Sequence, residues 1–146
     1  MDTLTRIRLP AKQSNMTTFI QTAVDCARSR GYDGNQIAHI RLAAEEALVN
    51  IFRYAYGPEG EGDVTLTCRL DSQRNFVIEI EDQGMPFNLL TQAEPSLSSD
   101  IVDRRVGGLG IHIIRHFTDD VQYHRKADKN VIRLIYDAVE VDDEPA

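Results

Sequence analysis

The chain has 146 residues, 42% hydrophobic and 27% charged, the composition of one globular domain with a real core. Its formal net charge of −7 argues against a general nucleic-acid binder, which needs basic surface to displace counterions. No apolar run approaches the ~20 residues of a membrane span, and the Asp-Thr-Leu-Thr-Arg start does not read as a signal peptide, so a soluble, cytoplasmic protein with no membrane role is expected.

Ile7 and Leu9, ended by Pro10, read as a short first strand. Residues 14–30 follow a helical period through Met16, Phe19, Ile20, Ala23, Val24 and Ala27, with Gly31 as the stop. A second helix, from about Asn35 to Ala55, carries Ile37, Ile40, Ala44, Leu48, Ile51 and Ala55 as its core stripe. The glycine-rich run Gly57–Gly62 breaks it. Val64, Leu66, Cys68 and Leu70 then alternate with polar residues, as do Phe76, Ile78 and Ile80, and Asp71–Asn75 forms the hairpin turn between them.

Residues 88–106 show no regular period and read as a long loop, which in a compact domain is usually functional. A helix from about Leu109 to Phe117 follows. The strands 120–126 and 130–139, turned by Ala127–Asn130, close the chain. Residues 140–146 hold four carboxylates and no base, so the division is a domain over 1–139 and a solvated acidic tail over 140–146. Helices first, strands mostly in hairpins, and one helix between them indicate an α+β, two-layer sandwich: a mixed, largely antiparallel sheet covered by helices on one face. Cys26 and Cys68 are too few, and too embedded in apolar patterns, for a disulfide framework or a zinc site.

Three short motifs carry chemistry. In Leu42-Ala-Ala-Glu-Glu-Ala-Leu-Val-Asn50, Glu46 and Asn50 lie one helical turn apart on the same side. Such a pair can handle a hydroxyl proton and a hard metal ion together; it can also be a plain polar helix face, as the neighbouring Glu45 suggests. Asp82, in Asp82-Gln-Gly84-Met-Pro86-Phe87, shares the parity of Phe76, Ile78 and Ile80, so it points to the helix-covered face and wants a donor there. Backbone amides before Gly84 and the exocyclic amine of a purine satisfy it equally well. Gly107-Gly108-Leu109-Gly110 opens a helix, either as a flexible hinge or as a place where free amides meet phosphate. Arg104 and Arg105 precede it, as phosphate contacts or as solvated side chains. His39, His112, His116 and His124 are scattered and read as surface residues.

In their order, these motifs make the chain resemble the GHKL (Bergerat-fold) ATPases, and within them the anti-sigma factor serine/threonine kinases of bacterial partner-switching modules. The similarity runs from about Thr3 to Asp137. Leu42–Asn50 through Tyr54-Ala55-Tyr56 looks like the N box, Asp82–Asn88 like the G1 box, and Gly107–Ile111 like the G2 box, followed by Asp119-Asp120-Val121 at a strand start. The resemblance implies that Asn50 ligates Mg²⁺ and that Glu46 is the catalytic base. It implies that Asp82 accepts from the adenine amine of ATP, and that Gly84 lets the base lie close. Gly107, Gly108 and Gly110, with Arg105, would serve the phosphates, and residues 88–106 would form the lid.

It further implies a STAS-domain antagonist as phosphoacceptor, a sigma factor or other client as alternative partner, and often a homodimer. The alternative is a nucleotide-gated module that sequesters a regulator and transfers little or no phosphate. Two departures stand out: Tyr54 takes the place of a common histidine, and the lid has no evident lysine for the phosphates.

Overall fold

The computed structural model describes residues 2–56, 61–91 and 109–139. The expectations placed on Gly57–Gly60, on 92–106 of the lid, on Arg104, Arg105, Gly107 and Gly108, and on the acidic tail lie outside the described residues.

Strand β1 (Asp2–Pro10) leads into α1 (Met16–Ser29) and α2 (Gly34–Tyr54), then β2 (Asp63–Leu70) and β3 (Phe76–Asp82), α3 (Leu109–His116), and finally β4 (Asp120–Lys126) and β5 (Lys129–Tyr136). The first strand is longer than the Ile7–Leu9 pattern shows, because pairing with β2 recruits residues whose side chains stay exposed. Helix α2 begins on a capping box: Asp33 Oδ1 accepts from the Gln36 amide, and Gln36 Oε1 from the Asp33 amide, both at 2.8 Å. No proline or glycine follows until the helix is complete, so 21 residues run unbroken and can carry groups to both ends of the fold.

The sheet order is β1-β2-β3-β5-β4. All four neighbour pairings are antiparallel, so the expected mixed sheet is antiparallel throughout its described strands. The chain reaches β5 only after passing through α3 and β4, and β5 then slots beside β3 with Asp82 opposite Asn130. Phe19, Ile40, Leu48, Leu66, Ile78 and Leu134 are fully buried between sheet and helices, and Cys26 and Cys68 are free thiols in the same core. On the uncovered face Glu79 is also buried, bonded to Arg133 Nε at 2.8 Å and paired with Arg69 at 3.4 Å.

The β4–β5 turn is tighter than the sequence suggests: Lys126 pairs with Lys129, and Ala127 sits at φ +56°. That left-handed backbone costs an L-residue with a Cβ about 1–2 kcal/mol, and asparagine tolerates it better than alanine. Ala127→Asn is therefore expected to raise Tm by about 2–4 °C, read by thermal denaturation; a lower Tm would contradict the turn geometry.

Candidate active site

The C-terminal half of α2 and the start of α3 meet face to face. Asn50 is 5% exposed, and its Nδ2 donates to the Glu46 carbonyl at 2.7 Å. Because a carbonyl can only accept, this bond fixes the amide, and among the described residues Oδ1 is left as the acceptor side. Glu46 is half-buried, and burial, with some help from Glu45 and against Arg53, pushes its carboxyl above the usual range. Burial of this kind is how a carboxylate gains basicity. A Cβ on Gly110 would stand 2.8 Å from Asn50 Nδ2 and 3.2 Å from Glu46 Oε2. The third motif is thus pressed against the first, and a side chain at Gly110 would have to displace the Asn50 amide.

Asp82 ends β3 with its side chain 4% exposed on the helix-covered face, as its parity predicts. Oδ1 accepts from the Gly84 amide at 2.9 Å and from Asn130 Nδ2 at 2.8 Å. Among the described residues Oδ2 accepts no hydrogen bond. The turn-capping reading is therefore satisfied through one oxygen, and the second oxygen remains for another donor. Burial raises the Asp82 pKa, opposed by Asn130, the Gly84 amide and Arg125.

Gly84 has a reason to be glycine that the sequence reading did not foresee. Its Cβ would fall 2.0 Å from the Ala55 carbonyl oxygen, at the end of α2. The expected role of admitting a base is separate from this one, and the close partner in the structure is the protein's own helix. Two hydrogen bonds and one ring contact fasten the loop there. Met85 N donates to the Ala55 carbonyl at 2.9 Å, Gln83 N donates to Tyr56 Oη at 2.8 Å, and the Tyr54 and Phe87 rings lie 5.2 Å apart. Tyr54, the departure noted at the end of the first motif, therefore packs the second.

Sequence reasoning missed Asn130. It reads as a turn residue, yet it is 4% exposed and uses its whole amide. Nδ2 donates to Asp82 Oδ1 and to the Met85 carbonyl, both at 2.8 Å. Oδ1 accepts from Tyr123 Oη at 2.6 Å and from the Phe87 amide at 3.2 Å. Arg125 adds a bond to the Gly84 carbonyl at 2.8 Å. The available signal was parity: Asn130 shares the inward series of Ile132, Leu134 and Tyr136. Beside Asp82 and Asn130, the side chains of Ile51, Ile80, Phe87, Leu89 and Ile132 close a slot of only about 10 Å³. The Leu89–Thr91 turn forms part of its wall.

A buried carboxylate beside an apolar slot, and a carboxylate–carboxamide pair set against Gly110 of α3, thus sit on one α+β domain. The chain belongs to the family described as Histidine kinase-like ATPase domain, which it matches over residues 9–136. It is 24% identical over 134 residues to the serine-protein kinase RsbW of Listeria innocua, covering 89% of this chain and 85% of the relative. To the serine/threonine-protein kinase BtrW of Bordetella bronchiseptica it is 30% identical over 95 residues, covering 65% and 66%. Among solved structures, the RsbU and RsbW domains of Rv1364c from Mycobacterium tuberculosis superpose with TM-score 0.61 at 14% identity, over 92% of this chain and 32% of that longer one. The histidine kinase domain of EL346 from Erythrobacter litoralis superposes with TM-score 0.52 at 16% identity, over 84% and 60%. These likenesses carry the fold. Among the described residues no helix is long and apolar enough to cross a membrane, and no group of three His, Cys, Asp or Glu side chains is placed to hold a metal.

Two variants separate the parts of this network. Asn130→Ala strands the Phe87 amide, the Tyr123 hydroxyl and the Met85 carbonyl, and buried unpaired groups cost about 1–3 kcal/mol each, so unfolding at lower denaturant is expected. Asp82→Asn behaves differently. A raised folded pKa favours the protonated side chain, a contribution that is present at low pH and lost as pH rises through the folded value. Asparagine does not ionise and keeps an acceptor for the Gly84 amide. Relative to wild type its Tm should improve from pH 4 to pH 8; a relative decline over that range would mean the carboxylate stabilises the fold.

Proposed function

We infer that this chain is an ATP-dependent protein serine/threonine kinase of the anti-sigma, partner-switching type. The observation that carries the reading is the convergence of Glu46 and Asn50 on Gly110. Family membership and the names of the curated relatives support the same activity. The reading makes the protein cytoplasmic.

Asp82 Oδ2 accepts from the exocyclic amine of adenine, while Asn130 and the Gly84 amide hold Oδ1 in place. The slot is far smaller than a purine, so the Leu89–Thr91 turn moves when the base enters. Asn50 offers Oδ1 to Mg²⁺. A single amide suits this ion, which keeps most of its waters and is otherwise held by substrate phosphates. The ion's chemistry is to neutralise phosphate charge during transfer. Gly107, Gly108 and Gly110, with Arg105, serve the phosphates.

Glu46 receives the proton of the attacking hydroxyl. The hydroxyl oxygen bonds to the γ-phosphorus, the bond from that phosphorus to the ADP oxygen breaks, and the electron pair leaves with ADP. Burial has raised the basicity that this step needs. A half-buried carboxylate so placed favours transfer over a purely sequestering module, since binding alone needs no base. The acceptor is a serine or threonine on a STAS-domain antagonist, with a sigma factor or other client as the alternative partner and a homodimer as the working assembly.

Incubation with labelled ATP, Mg²⁺ and a STAS protein tests this reading. Wild type should transfer label. Glu46→Gln should keep nucleotide binding while transfer falls by about 10²–10⁴-fold. Asn50→Ala should weaken Mg·ATP binding and transfer together. If Glu46→Gln transfers at the wild-type rate, the base is elsewhere; if wild type binds ATP but labels no partner, the sequestering module is the better reading.

A further inference from the structure

At the other end of α2, about 10–20 Å along the axis from Glu46 and Asn50 at 1.5 Å per residue, a second cleft opens. It encloses about 280 Å³ between the first turns of α2, the α3–β4 connection and the end of β5. Tyr32, His39, Phe117 and Tyr136 supply aromatic walls, and Asp119 and Asp137 supply carboxylates. No lysine or arginine lines it. The His39 ring packs on Phe117 at 4.8 Å, and Asp119 Oδ2 accepts from the Asp137 amide at 2.8 Å.

One residue that lines this cleft carries a buried polar atom with no hydrogen bond among the described residues. Tyr136 is 5% exposed, and its hydroxyl is one of two buried side-chain polar atoms without a hydrogen bond among the described residues. A buried hydroxyl left unpaired costs about 1–3 kcal/mol, so the fold retains an expense that packing does not require. Burial, then the nearby Asp119 charge, raise its pKa, so it stays a neutral phenol that can accept from a cation. By contrast the neighbouring Tyr32 hydroxyl is satisfied, donating to the Asp137 carbonyl at 2.8 Å.

We propose that this cleft receives the guanidinium or ammonium head of a basic side chain presented by a partner polypeptide. A planar cation stacks on aromatic faces, its N–H groups reach the Asp119 carboxylate, and one of them fills the acceptor position at Tyr136 Oη. The mouth is open and its rim residues Asp119 and Asp137 are exposed, which suits a side chain on a tether. The net charge of −7 draws basic segments toward the surface. Nothing in the site involves the nucleotide pocket, so it stands independently of the kinase reading.

The test is an NMR titration of the full chain at low salt with N-acetyl-arginine methylamide, its neutral citrulline counterpart, and spermidine. The arginine probe should give saturable shifts at residues 39, 116–119 and 136–138, and the citrulline probe should give none. Tyr136→Phe, which removes only the unpaired hydroxyl and so keeps the fold, should weaken arginine binding by about tenfold, as loss of a hydrogen bond to a charged group does. Asp119→Asn, which can still accept from the Asp137 amide, should weaken it similarly. The proposal is overturned by an absent arginine response, by equal binding of citrulline, or by Tyr136→Phe binding as wild type. Shifts with spermidine and none with arginine would assign the cleft to a free polyamine and overturn the polypeptide source.

Discussion

Everything at the candidate active site depends on how closely the β3 end loop approaches the last turn of α2. Gly84 lies where a Cβ would be 2.0 Å from the Ala55 carbonyl oxygen, well inside contact distance. That approach brings the Met85 amide onto the same carbonyl, which a helix end otherwise leaves without an intrahelical partner. The Tyr56 hydroxyl and the Tyr54 ring then take up Gln83 and Phe87 on either side. One missing side chain thus joins the helix that bears Glu46 and Asn50 to the loop that follows Asp82.

The second constraint is polar. Asp82 and Asn130 face each other across β3 and β5, both buried, and a buried carboxylate is costly unless bonded. Asn130 meets this with a fully used amide, which also holds Met85, Phe87 and Tyr123. The result is a carboxylate with one oxygen anchored and the other available, oriented before any ligand arrives. Preorganisation of this kind costs nothing at the moment of binding. It also explains why the topology matters: only the passage through α3 and β4 returns the chain so that β5 can lie beside β3.

Much of this was legible from residue order. The periods of α1, α2, β2 and β3, the inward parity of Asp82, and the shared side of Glu46 and Asn50 follow from local rules that the structure obeys. Other features depend on contacts far apart in sequence. The full length of β1 comes from pairing with β2, more than fifty residues away, and the role of Asn130 from a strand whose register the sequence leaves open. Gly84 looked like a place for a ligand because a glycine's need for space says nothing of what fills it. Tyr54 looked like a departure from a pattern, whereas its ring performs packing that only the folded loop creates.

The most direct measurement is calorimetric titration of Mg·ATP into wild type and Gly84→Ala, with far-UV circular dichroism to confirm that each keeps its helix and sheet signal. A ligand at about 100 times its Kd stabilises the native state by about 2.7 kcal/mol, so melting curves give a second readout on the same samples. The account predicts saturable binding to wild type and its loss in Gly84→Ala, because an added methyl group forces the loop off the helix end. Wild-type affinity in a folded Gly84→Ala variant would contradict it.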